Sequence, residues 1–270
     1  MKITKAIIPV AGWGTRRLPI TKTIEKCMLP IGNRPLVDYV VEDCLKAGIT
    51  ELIFIVSENS TQLQDYYSEN KALNAYLVRQ GKKASLPLVA PLEGVTLRFV
   101  VQPAEGKYGT AVPVGLAAEY IDDGESAVVL MGDDFIWNRN GTSEVSRLLS
   151  GTPDGMCGLL AARVSADETH KYGVIETDEH GHYRRIVEKP NPGEAPSDLI
   201  NISKYVLTKQ VIDACVTLPA SHRGEYELPD AVNMFVKDGG DVKVVPAEGE
   251  YLDGGSVEGW VYANRRVLGL

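Results

Sequence analysis

Residues 3–10 read as a strand, apolar without a break from Ala6 to Val10, that opens directly into Ala11-Gly12-Trp13-Gly14-Thr15-Arg16-Arg17, and no other stretch constrains the fold as strongly. A run apolar on every side suits a strand covered on both faces, as in a parallel sheet sandwiched by helices. The loop after it carries glycines and then cations. Gly12 and Gly14 allow the backbone to bend and to come close to a ligand. Exposed backbone N–H groups, with Arg16, Arg17, Lys22 and Lys26 close by in sequence, would face a polyanion such as a triphosphate. The loop lacks the third glycine of a dinucleotide fingerprint and the Gly-Lys-Ser/Thr of a P-loop.

The pattern that follows predicts an α/β fold. A helix is expected over 35–47, with Pro35 in its first turn and Gly48 after its end. Strands are expected at 52–56, 95–101 and 127–131, with one or two helices over 60–80 and another over 108–120. Residues 81–94, with Lys82-Lys83, Pro87 and Pro91, read as an excursion or a lid. The second half is richer in strands: 158–164, 174–177, 183–188, 199–206 and 242–246, with helices at 209–215, 228–238 and 256–267. His180-Gly181-His182 falls in a hairpin turn.

Charge and cysteine usage narrow the partners. The net charge of −8 argues against a nucleic-acid backbone as partner, so an anion site must be a local pocket in a negative surface. Cys27, Cys44, Cys157 and Cys215 are widely spaced and form no CxxC pair, as expected of reduced thiols in the cytoplasm. No apolar run approaches the length needed to cross a membrane, and no leader peptide is apparent.

Four further elements carry chemistry. Met131-Gly132-Asp133-Asp134 follows a strand, and Leu252-Asp253-Gly254-Gly255 ends another short strand-like run. Carboxylates at strand ends sit where open α/β sheets bind ligands, and Asp133 with Asp253 would suit Mg²⁺, which takes one or two carboxylates plus phosphate oxygens. The same Gly-Asp and Asp-Gly pairs are also common turn formers. In Val187-Glu188-Lys189-Pro190, Lys189 is a point cation suited to phosphate and Glu188 an acceptor for sugar hydroxyls; a salt pair at a strand end is the competing reading. Gln102 follows a strand and can read a nucleobase edge, while Gly109, before Thr110-Ala111, would let a base or ribose approach the backbone; an ordinary strand-to-helix loop reads the same way.

Taken in this order, the elements resemble the bacterial UTP–glucose-1-phosphate uridylyltransferases, within the sugar-1-phosphate nucleotidylyltransferases. The likeness runs from Lys5 to about Val267 and includes Tyr172-Gly173-Val174 and Gly224-Glu225-Tyr226-Glu227-Leu228-Pro229-Asp230-Ala231. It implies one nucleotidyltransferase domain over 1–270 with a Rossmann-like, mostly parallel mixed sheet and an antiparallel sugar-binding extension. Residues 1–135 would mainly hold the nucleotide and 136–270 the sugar phosphate. It implies Ala11, Gly12, Gly14, Thr15, Gln102, Gly109 and Thr110 at the nucleotide, and Arg16 and Lys26 on the triphosphate. Gly173, Glu188 and Asn201 would meet the sugar, Lys189 its phosphate, and Asp133 and Asp253 would hold Mg²⁺. The substrates would be UTP and glucose 1-phosphate, the products UDP-glucose and pyrophosphate, and the assembly a homodimer or homotetramer.

The chain departs from that pattern at Cys27, where the family carries a glutamate near the base, at Trp13, commonly leucine, at Arg17, usually phenylalanine, and in the run 199–203. Another base (dTTP or CTP), another sugar 1-phosphate, or a catalytically silent nucleotide-sugar binder are the alternatives. The retained Arg16, Lys26, Asp133, Lys189 and Asp253 weigh against the silent protein. A dinucleotide-dependent dehydrogenase is weaker still, because the loop has too few glycines and no acidic residue follows in the usual place.

Overall fold

The computed structural model describes residues 2–270. The three most apolar runs become β1 (Lys5–Pro9), β4 (Glu51–Ser57) and β6 (Ser126–Leu130). Between β1 and β4 lie a small hairpin, β2 (Pro30–Ile31) and β3 (Arg34–Pro35), and helix α1 (Leu36–Lys46). Helices α2 (Gln62–Tyr67) and α3 (Lys71–Arg79) lead to β5 (Thr96–Gln102), and α4 (Ala111–Leu116) leads to β6. Then come β7 (Asp134–Trp137), α5 (Glu144–Gly151), β8 (Cys157–Arg163), β9 (Gly173–Thr177), β10 (Tyr183–Glu188) and β11 (Leu199–Thr208). The chain ends with α6 (Lys209–Thr217), α7 (Leu228–Lys237), β12 (Val242–Pro246), β13 (Glu250–Asp253) and α8 (Val257–Leu268).

Nine strands share one sheet. β6, β1, β4 and β5 are parallel neighbours in that order. β11 runs antiparallel to β6 through its second half and pairs β8 on its other edge, with β12 parallel to β8. The first half of β11 extends past the end of β6, and there β9, paired with β10, takes its place. Both halves of the chain therefore build one sheet. The period of two along each strand sorts side chains between two cores. Ala6, Ile8, Leu52, Phe54, Val56, Val128 and Leu130 face α1, α2 and α5. Ile7, Ile53, Ile55, Ala127 and Val129 face α4, α6 and α7.

This topology places the site. Chain order runs outward from β1 to β4 and β5, then returns to β6 on the other side of β1. Strand order therefore reverses at β1, and the loops leaving β1, β4, β5 and β6 meet at the carboxyl ends of these strands, where open α/β sheets form a ligand crevice. Gly132 N donates to Pro9 O (3.2 Å) at that point, joining the two loops. β7, which sequence patterning leaves unassigned, pairs antiparallel with β13 beside the sheet and sets Asp253 opposite Asp134.

Three expectations change. The helix expected from 108 begins only at Ala111, because Gly109 and Tyr108 are engaged with Tyr226: Tyr226 N donates to Tyr108 O and Ala111 N to Tyr226 O, each at 2.9 Å. Residues 83–89 form a 3₁₀ segment with Pro87 inside it, and none of 81–94 lines the crevice. Helix α5 is new; Ser143 caps it by accepting from Ser146 N at 2.9 Å. Among the described residues no helix is long and apolar enough to cross a membrane.

Phe54 anchors the first core, fully buried between Phe99 (ring centroids 5.5 Å apart) and Tyr67 (5.8 Å). Phe54→Ala should lower unfolding stability by about 3–5 kcal/mol, measured by urea denaturation.

Candidate active site

At the switch point lies a cavity of about 610 Å³. Its walls are the 10–16 loop after β1, Ser57-Glu58-Asn59 after β4, residues 102–110 after β5, and Met131-Gly132-Asp133 after β6. Ala11, Gly12, Gly14, Thr15, Arg16, Lys26, Gln102, Gly109, Thr110 and Asp133 thus face one space. Trp13 and Tyr108 also line it and remain 67% and 66% exposed, placing two aromatic rings at its mouth.

The loop is braced from below. Gly14 has φ 63°, a left-handed conformation that side chains resist, and Thr21 Oγ1 donates to its carbonyl (2.8 Å). Lys26 follows Glu25, whose carboxylate accepts from Ser60 Oγ (2.7 Å) and Gln62 N (3.1 Å) ahead of α2. Lys26 Nζ then ion-pairs with Asp133 Oδ2. Cys27 lies behind it, buried, and that burial pushes its thiol pKa up, so it stays protonated.

Asp253 joins this cluster from β13 although it does not line the cavity. Gly255 marks the meeting point. A Cβ placed there would stand 2.8 Å from Asp253 Oδ1 and 3.4 Å from both Arg16 Nη2 and Lys26 Nζ. Asp253 Oδ1 accepts from Gly255 N (2.6 Å). Two cations and two carboxylates, drawn from three distant stretches of chain, therefore converge. Among the described residues no group of three or more His, Cys, Asp or Glu side chains forms a metal cage. The pair Asp133 and Asp253, with the Asp133 side chain 36% exposed, is nonetheless the donor set that a hard divalent ion uses when phosphate oxygens complete its shell.

The remaining sequence candidates, Gly173, Glu188, Lys189 and Asn201, lie outside the cavity wall. Gly173 opens β9 opposite Glu188 at the end of β10, and Lys189 follows with φ 46°, its N–H donating to Tyr172 O (3.0 Å). The register Ile200↔Val174 sets Asn201 beside Gly173. The Asn201 Oδ1 is already engaged, accepting from Ser203 N (2.9 Å) and Tyr205 Oη (3.1 Å), where it braces the bulge ahead of Lys204.

Several side chains have placements or partners that the sequence did not indicate. Arg17 does not face the cavity; it is 3% exposed and donates to the carbonyls of Gly254 (3.2 Å) and Ser256. Lys22 sits exposed on a 3₁₀ turn and does not line the cavity. At Gly109 (φ 132°) the close approach is by Tyr226, whose backbone oxygen would stand 2.3 Å from a Cβ. The Thr110 hydroxyl is likewise committed, donating to Glu227 (3.0 Å) and accepting from Leu228 N (2.8 Å).

Sequence reasoning missed the support beneath Asp133. Lys204, 3% exposed, ion-pairs with the neighbouring Asp134, itself 8% exposed, and the Tyr251 hydroxyl donates to Asp134 Oδ2 (3.0 Å). Burial raises the Asp134 carboxyl to about 6 while Lys204 pulls it back down. Burial, together with the neighbouring aspartates, holds the Tyr251 pKa well above its ordinary value, so it remains a donor. A lysine directly ahead of the apolar Tyr205, Val206 and Leu207 was the available signal. Glu58, Glu225 and Glu227, which add acidic groups to the cavity wall, were also unforeseen. Lys204→Met should cost about 3–5 kcal/mol in urea denaturation by stranding a buried carboxylate, and adding Asp134→Asn should recover part of the loss.

The family model for nucleotidyl transferases matches residues 5–269. A UTP–glucose-1-phosphate uridylyltransferase of Staphylococcus saprophyticus is 33% identical, the alignment covering 97% of this chain and 91% of that protein. Among solved structures, a UTP-bound UGPase from Acinetobacter baumannii superposes with a TM-score of 0.87 at 28% identity, covering 98% and 93% of the two chains. A UDP-glucose pyrophosphorylase complexed with UDP-glucose gives 0.83 at 29% identity, covering 99% of each. With a strand-end crevice of this geometry and a family match over nearly its whole length, the chain belongs to the nucleotidyl transferase family.

Proposed function

We propose that this chain transfers a uridylyl group from UTP to glucose 1-phosphate, giving UDP-glucose and pyrophosphate. The observation that carries the reading is the convergence of Arg16, Lys26, Asp133 and Asp253 around Gly255, at the edge of a cavity walled by a glycine loop. Relatives of this chain that span nearly its full length carry the same activity in their names.

A phosphate oxygen of the sugar phosphate attacks the α-phosphorus of UTP in line, and pyrophosphate leaves. The nucleophile is already an anion at neutral pH, so no general base is required. The barrier is the meeting of two polyanions, and positioning with charge neutralisation lowers it. Arg16 and Lys26 hold the β- and γ-phosphates and offset charge on the departing pyrophosphate. In the free chain the partner of Lys26 is Asp133, so substrate binding releases one from the other. Lys189 receives the sugar phosphate, and Gly173, Glu188 and Asn201 the sugar; with its Oδ1 engaged, Asn201 offers its Nδ2 as the donor. Ala11, Gly12, Gly14 and Thr15 cradle the nucleotide, and Gln102, Gly109 and Thr110 contribute at the base. Mg²⁺ held by Asp133 and Asp253 would neutralise and align phosphate oxygens of both substrates.

On this reading residues 1–135 serve mainly the nucleotide and 136–270 mainly the sugar phosphate. Work in the cytoplasm is supported by four buried, free cysteines. A homodimer or homotetramer is supported by the exposed Val257, Val261, Tyr262 and Leu268 of α8, and light scattering would measure it. A second base preference is favoured by Cys27, a buried thiol in the cavity wall where the family carries a carboxylate.

Asp133→Asn should keep the fold and lower pyrophosphate release by on the order of 10²–10³; near-normal turnover would remove Asp133 from the metal site. Pyrophosphate release assayed for UTP, dTTP and CTP against several sugar 1-phosphates should be fastest with UTP and glucose 1-phosphate. Faster turnover with another pair would replace the substrates and leave the reaction type intact.

A further inference from the structure

Arg17 is a buried cation in a place where packing alone does not call for one. It ends the 3₁₀ turn Thr15–Arg17 that directly follows Gly14. Its guanidinium carbon lies 5.1 Å from the centre of the Trp260 ring, and its Nε has no hydrogen-bond partner. Asp253 and Glu258 act on it through space rather than as hydrogen-bonded partners. An apolar side chain of similar volume could stack on Trp260 without losing the hydration of a charge.

What the guanidinium holds is specific. Its Nη1 donates to Gly254 O and to Ser256 O, the carbonyls on either side of Gly255. The Gly255 N–H between them donates to Asp253 Oδ1 (2.6 Å), and Ser256 Oγ lies 3.4 Å from Asp253 Oδ2. One side chain from the glycine loop thus fixes the peptide planes that present the Asp253 carboxylate. The adjacent Arg16 points its own guanidinium at the same Gly255. No comparable polar tie runs from residues 10–16 to this turn among the described residues.

We propose that Arg17 is a positioning residue that couples the glycine loop to the Asp253 turn, so that seating a triphosphate on the loop and presenting Asp253 are one event. The functional part of this inference rests on the reaction proposed above, with Asp253 as a cation ligand. Because Arg17 does not line the cavity, its loss should act on the chemical step more than on nucleotide binding.

The test uses the full chain with Arg17→Met, Arg17→Lys, Asp253→Asn and the Arg17→Met/Asp253→Asn double variant. Hydrogen–deuterium exchange in the absence of any ligand reads the tie directly. In Arg17→Met, exchange in peptides over 253–256 should quicken about tenfold, while β4 and α1 stay as in the wild type. Arg17→Lys, which keeps a donor for the two carbonyls, should recover part of that protection; it also decides the matter if Arg17→Met does not fold. Unchanged exchange over 253–256 in the folded variants overturns the proposal. Binding of Mn²⁺ alone, followed by electron paramagnetic resonance, should weaken in Arg17→Met.

In turnover, Arg17→Met should lower kcat by about 10²-fold with the KM for UTP nearly unchanged. The double variant should be no slower than Asp253→Asn, since both changes remove the same contribution. Additive losses, or a rise in KM with kcat preserved, would also overturn the proposal. If the wild type does not turn over these substrates, the proposed reaction fails, and the exchange and Mn²⁺ measurements still decide whether Arg17 holds the turn.

Discussion

The antiparallel pairing of β7 with β13 is the constraint on which the site depends. β6 delivers Asp133 to the switch point by sheet topology alone. Asp253 belongs to a strand outside the main sheet, and only the register Asp253↔Asp134 brings it beside Asp133. Much of the surrounding polar structure secures that pairing. Lys204 and Tyr251 satisfy Asp134, and the buried Glu144 accepts from Gly249 N (2.8 Å) just before β13. Arg17 holds the turn that follows.

Electrostatics explains the division between buried and exposed charge. Lys204 and Asp134 neutralise each other out of solvent, and each has a partner that makes its burial tolerable. Lys26 and Asp133 are paired at the cavity edge, where an arriving phosphate can exchange partners with them. The buried pair fixes geometry, and the edge pair remains available for chemistry. In a chain of net charge −8, anion binding depends on this local gathering of cations.

Much of the fold was legible because its strongest signals are local. Continuous apolar runs at β1, β4 and β6 required cover on both faces, and the helices between them implied parallel strands. β7 and α5 were not legible: β7 is four residues long, and α5 is secured by Ser143 and Glu144 through contacts with α1 and with the loop before β13. Within the site, the loop glycines and the acidic strand ends were recognisable from residue type and position. The placements of Arg17 and Lys22, and the packing of Tyr226 against Gly109, were not. A cation near a glycine loop reads the same whether it faces a ligand, solvent or its own backbone, and a glycine reads the same whether a ligand or Tyr226 approaches it.

The sequence by itself determined the class of fold, the location of the ligand crevice at strand ends, and the kinds of group gathered there, because hydrophobic period and residue chemistry are written along the chain. Only the tertiary structure decided which groups meet. The convergence of Arg16, Lys26, Asp133 and Asp253, the burial of Lys204 against Asp134 and the inward turn of Arg17 all depend on strand register and on what fills the space behind a turn. Those are properties of long-range packing, and no local pattern encodes them.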